Sequence, residues 1–154
     1  MKKLAIAMCV LVPLIAADPA GFALWSGKQL KGFEKALGVK VDPKTKIATE
    51  QLAKFGNHSA MVAHREGSGE AELHETQADL FVVQSGEATL VIGGTVVNPK
   101  TTALNEVRGS SIQGGDKKKL GAGDMVHIPA RTAHQLMVES GKQFTYVIVK
   151  IDSN

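Results

Sequence analysis

The sequence predicts an all-β sandwich or barrel preceded by one short helical segment, and three observations carry that expectation. From His58 onward, short β-prone runs follow one another at close spacing. Glycine-bearing breaks separate these runs, and glycine supplies the positive φ that tight turns need. The 154 residues are 44% hydrophobic, enough for a single core and hardly long enough for two.

The chain opens with Met1-Lys2-Lys3 and an unbroken apolar run over 4–17, which Asp18-Pro19 stops. A basic start, a short apolar stretch and small residues behind it describe a secretory signal peptide. A run of 14 residues is too short to span a bilayer, which takes about 20. Residues 1–23 are therefore expected to be an export signal, cleaved after Ala17, or after Ala23, where Gly21 and Ala23 put small residues at the two key positions. Cys9, the single cysteine, falls inside it, and Met8 before it does not suit a lipoprotein signal. The exported domain, periplasmic or extracellular, would then contain no cysteine, which excludes a disulfide framework, a Cys-rich zinc site and thiol chemistry.

Residues 24–57 read as a helical and extension segment. Ser26 offers an N-cap acceptor, Leu30, Phe33 and Leu37 recur at three- and four-residue steps, and Gly38 suits the C-terminal turn. Gly32 interrupts that pattern. Beyond it, Asp42-Pro43 opens either a second helix carrying Leu52 and Phe55, or a stretch that ends in a strand turning at Gly56-Asn57; the strand is the preferred reading.

The β-prone runs of the expected 58–154 barrel are 58–65, 79–84, 88–92, 95–97, 125–128, 135–138 and 144–151. The breaks include Ser85-Gly86, Gly93-Gly94, Gly114-Gly115 and Ser140-Gly141, and Gly93-Gly94 reads as a hairpin turn. The stretch 98–120 reads as an extended hairpin more than a lid, by ordinary loop economy. Lys117-Lys118-Lys119 reads as a solvated loop or strand edge. A formal charge of +3 with interspersed signs makes no case for nucleic acid, and no membrane partner is expected once the signal is removed.

Chemistry can reside in five histidines, His58, His64, His74, His127 and His134, and in the acids near two of them. Glu72 and His74 point to one face of a strand because its side chains alternate. Asp79 opens an apolar strand, an unexpected place for an acid unless it faces solvent or a site. His134 follows Gly123 and the turn at Pro129-Ala-Arg131. His127, on the strand 125–128, is a residue for packing or for acid–base work if turned inward, while His58 and His64 read as ordinary strand residues.

These two segments resemble the paired motifs of the cupin superfamily over about residues 58–151. The first motif of that superfamily runs Gly, His-x-His, Glu, Gly; here His74 is followed after four residues by Asp79 and after six more by Gly86. The second runs Gly, Pro-x-Gly, His and a later Asn; here Gly123, Pro129 and His134 hold the matching spacing. The departures are Glu72 for the first histidine, Asp79 for the glutamate, Arg131 for the motif glycine, Val138 for the asparagine and a shifted leading glycine at Gly67.

The resemblance implies a double-stranded β-helix, or jelly-roll barrel, holding a divalent metal such as Mn, Fe, Zn, Ni or Cu. The implied ligands are His74, Asp79 and His134, with Glu72 as a fourth ligand or a general base; two histidines with one carboxylate leave coordination positions open. Arg65, Arg108 and Arg131 are candidate carboxylate clamps, since guanidinium grips a carboxylate bidentately. The function implied is that of a metal-dependent enzyme of dioxygenase, decarboxylase, lyase or isomerase type acting on a small organic molecule. The competing reading is a secreted non-catalytic cupin that binds a sugar or other small ligand, and a weaker one is a structural or oligomerising domain. Exposed edge strands are compatible with a homodimer.

Overall fold

The computed structural model describes residues 18–153; most of the expected export signal, residues 1–17 with Cys9, lies outside the described residues. Helix α1, Gly27–Gly38, starts at Ser26, whose hydroxyl accepts from the Gln29 backbone while the Gln29 side chain returns a bond to the Ser26 N–H. That reciprocal capping box holds the first turn. Leu37 is fully buried on the face that α1 presents to Ala48 and Val62, with Leu30 and Phe33 packed beside it. Gly32 is accommodated inside the helix, with open space around its Cα.

Asp42 does not start a second helix. Its carboxylate accepts from the backbone N–H groups of Lys44 and Thr45, which closes a turn and feeds strand β1, Ile47–Phe55. Strand β1 reverses at Gly56-Asn57 into β2, His58–Arg65, and the two pair antiparallel. The extension segment thus contributes its own strand to the sheet.

The centre of the fold is β4, Gln77–Ile92, which runs without interruption through Ser85-Gly86. Its first half pairs with β12, Phe144–Asp152, and with β10, Met125–Ile128. Its second half pairs with β9, Asp116–Gly121, and with β11, His134–Met137. From β11 the sheet continues through β3, Ala71–His74, and β7, Glu106–Gly109, to β6, Lys100–Ala103. A small separate ladder joins β5, Thr95–Val97, to β8, Ser111–Gln113. The result is a curled antiparallel jelly-roll sheet with one short helix among the described residues, as the sequence predicts.

Two turn readings are corrected. Ser85-Gly86 is a bend inside a strand: the register against β12 slips at Thr145/Tyr146, and the buried alternation passes from Asp79, Phe81 and Val83 to Ala88 and Leu90. A bulge adds one residue and so moves the inward face by one position. Gly93-Gly94 has the positive φ values expected, 78° and 74°, but joins β4 to β5 without pairing them. β5 takes β8 as partner instead, and the Gly94 backbone lies against Gln113, where a side chain would clash. Within the stretch 98–120, β6 and β7 form a hairpin, while β8 pairs back with β5 and β9 pairs with β4. Lys117, Lys118 and Lys119 are exposed on β9.

The inward faces of β4, β10, β11 and β12 make the core, with Phe81, Leu90, Ile128, Leu136, Phe144 and Tyr146 buried together. Each such side chain contributes about 1.5–3 kcal/mol by leaving water. One end of this core is polar, and there the histidines meet.

Candidate metal centre

Cross-strand register places every member of the polar cluster. On β3 and β7, Glu72 stands opposite Arg108 and His74 opposite Glu106. His134, at the start of β11, stands opposite Glu72, and Lys150 on β12 stands opposite Asp79 on β4. Directly opposed residues carry their Cβ atoms about 5 Å apart, so side chains on the same face touch.

His74, Asp79 and His134 are each only 2% exposed. Asp79 Oδ2 lies 3.3 Å from His74 Nε2 and 3.5 Å from His134 Nε2. Glu72 Oε2 lies 3.6 Å from His74 Nε2 and 3.9 Å from His134 Nε2. The four residues expected as ligands are therefore brought together. Donor atoms of Glu72, His74 and His134 all lie within 4.8 Å of one another, a set that could hold a metal ion.

The outer nitrogens of both imidazoles are occupied. His134 Nδ1 donates to the Thr132 carbonyl at 3.0 Å, which turns Nε2 toward the cluster. That Nε2 is buried without a hydrogen-bond partner. His74 Nδ1 meets both carboxylate oxygens of Glu106, at 2.9 and 2.8 Å. A carboxylate or carbonyl behind Nδ1 orients an imidazole and raises its basicity toward a metal at Nε2. Two buried imidazole nitrogens turned toward two carboxylates call for positive charge between them, so the donor set fits a divalent metal.

Lys150 supplies part of that positive charge. Its Nζ lies 3.0 Å from Asp79 Oδ1 and 3.0 Å from His74 Nε2. Arg65 and Arg108 flank Glu72 at 3.5 and 3.6 Å, Arg108 also reaches Glu106 at 3.0 Å, and Arg65 Nε donates to the Tyr146 hydroxyl at 3.1 Å.

These contacts move the titrations. Burial disfavours the charged form of Glu72, yet the His74 hydrogen bond and the Arg108 charge hold it at about 2. Asp79 is also buried, and its contacts with His134, His74 and Lys150 hold it well below the ordinary carboxylate range. Burial pulls His74 down, but hydrogen bonding to Asp79 and Glu72 outweighs it and raises the imidazole to about 9, with Lys150 opposing.

A cavity of about 170 Å³ opens onto this cluster, with Arg65, Glu72, Asp79, Arg108, His134 and Lys150 in its wall beside apolar Phe81 and Ile148. A larger groove of about 290 Å³ is lined by Glu87, Lys119, Asp124 and Lys142 among others and contains no histidine, so the chemistry belongs to the smaller one.

The other expected residues lie elsewhere. His127 pairs with Leu80, the outward neighbour of Asp79, and is exposed on the outer face of the barrel; it cannot act as an acid–base group at this site. Arg131 is 78% exposed and lies 3.9 Å from Glu75, so it is not a clamp on the cavity. Its backbone has φ 61°, the left-handed conformation natural to the glycine of the resembled motif, and its N–H donates to the His74 carbonyl. His58 stacks on Phe55 away from the site, and His64 is buried with Nδ1 on the Thr145 hydroxyl. Sequence reasoning missed Glu106, Lys150 and Tyr146. The lysine at an inward position of an apolar strand was a readable signal for Lys150, while Glu106 carried none.

No family model matches the sequence, and no curated protein matches it. Solved structures do match. KdgF from Halomonas sp. aligns with a TM-score of 0.53 at 16% identity, covering 73% of this chain and 86% of that one. The polyketide cyclase RemF from Streptomyces resistomycificus aligns with a TM-score of 0.50 at 15% identity, covering 69% of this chain and 65% of its own. A cupin superfamily protein from Desulfitobacterium hafniense DCB-2 aligns with a TM-score of 0.50 at 14% identity, covering 70% and 78%. At such identities the likeness is one of architecture, and by that architecture the chain has the fold of the cupin superfamily.

Proposed function

We propose that this chain is an exported, metal-dependent cupin enzyme acting on a small organic molecule. The observation that carries the metal is the buried His134 Nε2, unpartnered and aimed at the place where His74 Nε2, Glu72 and Asp79 converge. His74, His134 and Asp79 would hold the ion, with Glu72 as a fourth ligand or a general base. A divalent ion there supplies Lewis acidity toward an oxygen of the substrate. Glu72, at the cavity wall, either ligates or takes a proton from substrate. Arg108, half-buried at the cavity, orients an acidic group of the substrate, and the mixed apolar wall keeps that substrate small. The fold does not choose among dioxygenase, decarboxylase, lyase and isomerase chemistry. Export rests on the N-terminal pattern of residues 1–23.

A second reading, a non-catalytic binding module for a sugar or other small ligand, is favoured by one observation: Lys150 supplies the Asp79 carboxylate with a cation from the chain itself. Metal content separates the two. The mature domain purified without chelator is compared with the His74→Ala/His134→Ala double variant. The enzyme reading expects near-stoichiometric metal in the first and none in the second. Absence of metal from both, with no added ion raising the melting temperature, removes the enzyme reading and leaves the binding module. The N-terminal mass of protein recovered outside the cytoplasm tests export, with cleavage expected after Ala17 or Ala23.

A further inference from the structure

Lys150 reaches the cluster from β12, directly across from Asp79. Its side chain is 20% exposed, so the ammonium is largely withdrawn from water and depends on the two contacts at 3.0 Å, to Asp79 Oδ1 and His74 Nε2. Both atoms belong to the set that would bind the ion, so the inference rests on the metal reading above. An imidazole nitrogen has one lone pair and serves one cation at a time. A metal ion ligated by His74 Nε2 would use that lone pair and leave none for the ammonium. The two cations would then be far closer than their charges allow.

We propose that the Lys150 ammonium and a divalent metal ion are alternative occupants of the His74–Asp79 position, so that Lys150 is a built-in competitor that sets the affinity of the site. Without metal, Lys150 neutralises the buried Asp79 carboxylate, which lets the chain fold before any ion is bound. The charges match this role: Glu72, Asp79 and Glu106 face Arg65, Arg108 and Lys150. His134 Nε2, by contrast, has no ammonium partner. With a metal bound, the ammonium would have to give up its contacts to His74 Nε2 and Asp79 Oδ1.

The test is calorimetric titration of Mn²⁺ alone into metal-free wild type, Lys150→Met and Lys150→Arg, with melting temperatures recorded alongside. Lys150→Met is expected to bind Mn²⁺ about tenfold or more tighter than wild type, the scale of one charge-assisted hydrogen bond. It should also melt lower than wild type without metal and gain more from saturating Mn²⁺. Lys150→Arg, which keeps a cation in place, should bind no tighter than wild type. If Lys150→Met does not fold without metal, Lys150→Gln replaces it with the same expectation. Wild type that binds while the folded neutral variants bind no tighter overturns the competition and leaves the metal reading standing. No binding by wild type or by any neutral variant overturns both.

Discussion

Glu106 grips His74 through both carboxylate oxygens, at 2.9 and 2.8 Å from Nδ1, across a directly opposed pair of strands. This contact fixes which imidazole nitrogen faces the cavity. Glu106 itself is held by Arg108, at 3.0 Å. A partner of this kind, one step behind a ligand, orients the imidazole and raises its basicity toward a metal.

Replacing Glu106 by Gln is therefore expected to weaken metal binding by about 10–100-fold while leaving the fold intact. Metal affinity measured beside the circular-dichroism spectrum checks it. An unchanged affinity would mean that the orientation of His74 is set by the strand alone.

The pH dependence follows from the shifted groups. His74 is raised to about 9 from its ordinary 6.5, so the folded metal-free protein holds that proton more tightly than the unfolded chain. The stability it contributes is complete below about 6.5 and is lost as pH rises through about 9. Glu72 acts in the opposite sense: held at about 2, it contributes stability that is present above 4.5 and lost as pH falls toward about 2. Metal needs the His74 Nε2 lone pair free, so the apparent affinity for an ion rises over the window in which the metal-free protein weakens. Melting temperature and Mn²⁺ affinity measured across that window should move in opposite directions with pH.

Gly86 sits at φ 76° where β4 bends, and a Cβ there would come 1.9 Å from the Gln143 carbonyl oxygen. Backbone strain and overlap with backbone atoms both oppose a side chain. Gly86→Ala is expected to cost roughly 3 kcal/mol or more, read by chemical denaturation. A loss below about 1 kcal/mol would show that the bend relaxes freely.

Several features of this chain were legible because they depend on neighbours in sequence. The Ser26 cap and the three- and four-residue apolar steps specify α1 by themselves. The alternation around Glu72 and His74, and the spacing from His74 to Asp79 and Gly86, place three acid or imidazole groups on the inward face of strands. Gly123, Pro129 and His134 do the same for the second strand. Their convergence followed from the resemblance of these spacings to the cupin motifs.

Only the tertiary structure decided the rest. Glu106 lies 32 residues from His74, and Lys150 lies 76 residues from it, so their contacts arise from strand register and not from local pattern. Register also turned His127 outward, since pairing it with Leu80 in place of Asp79 is a one-residue difference that exchanges the two faces of a strand. Arg131 left the site for a similar reason: its left-handed backbone spends the position on a turn, with its N–H on the His74 carbonyl. Sequence period chooses which residues share a face, and the pairing of distant strands chooses which faces meet.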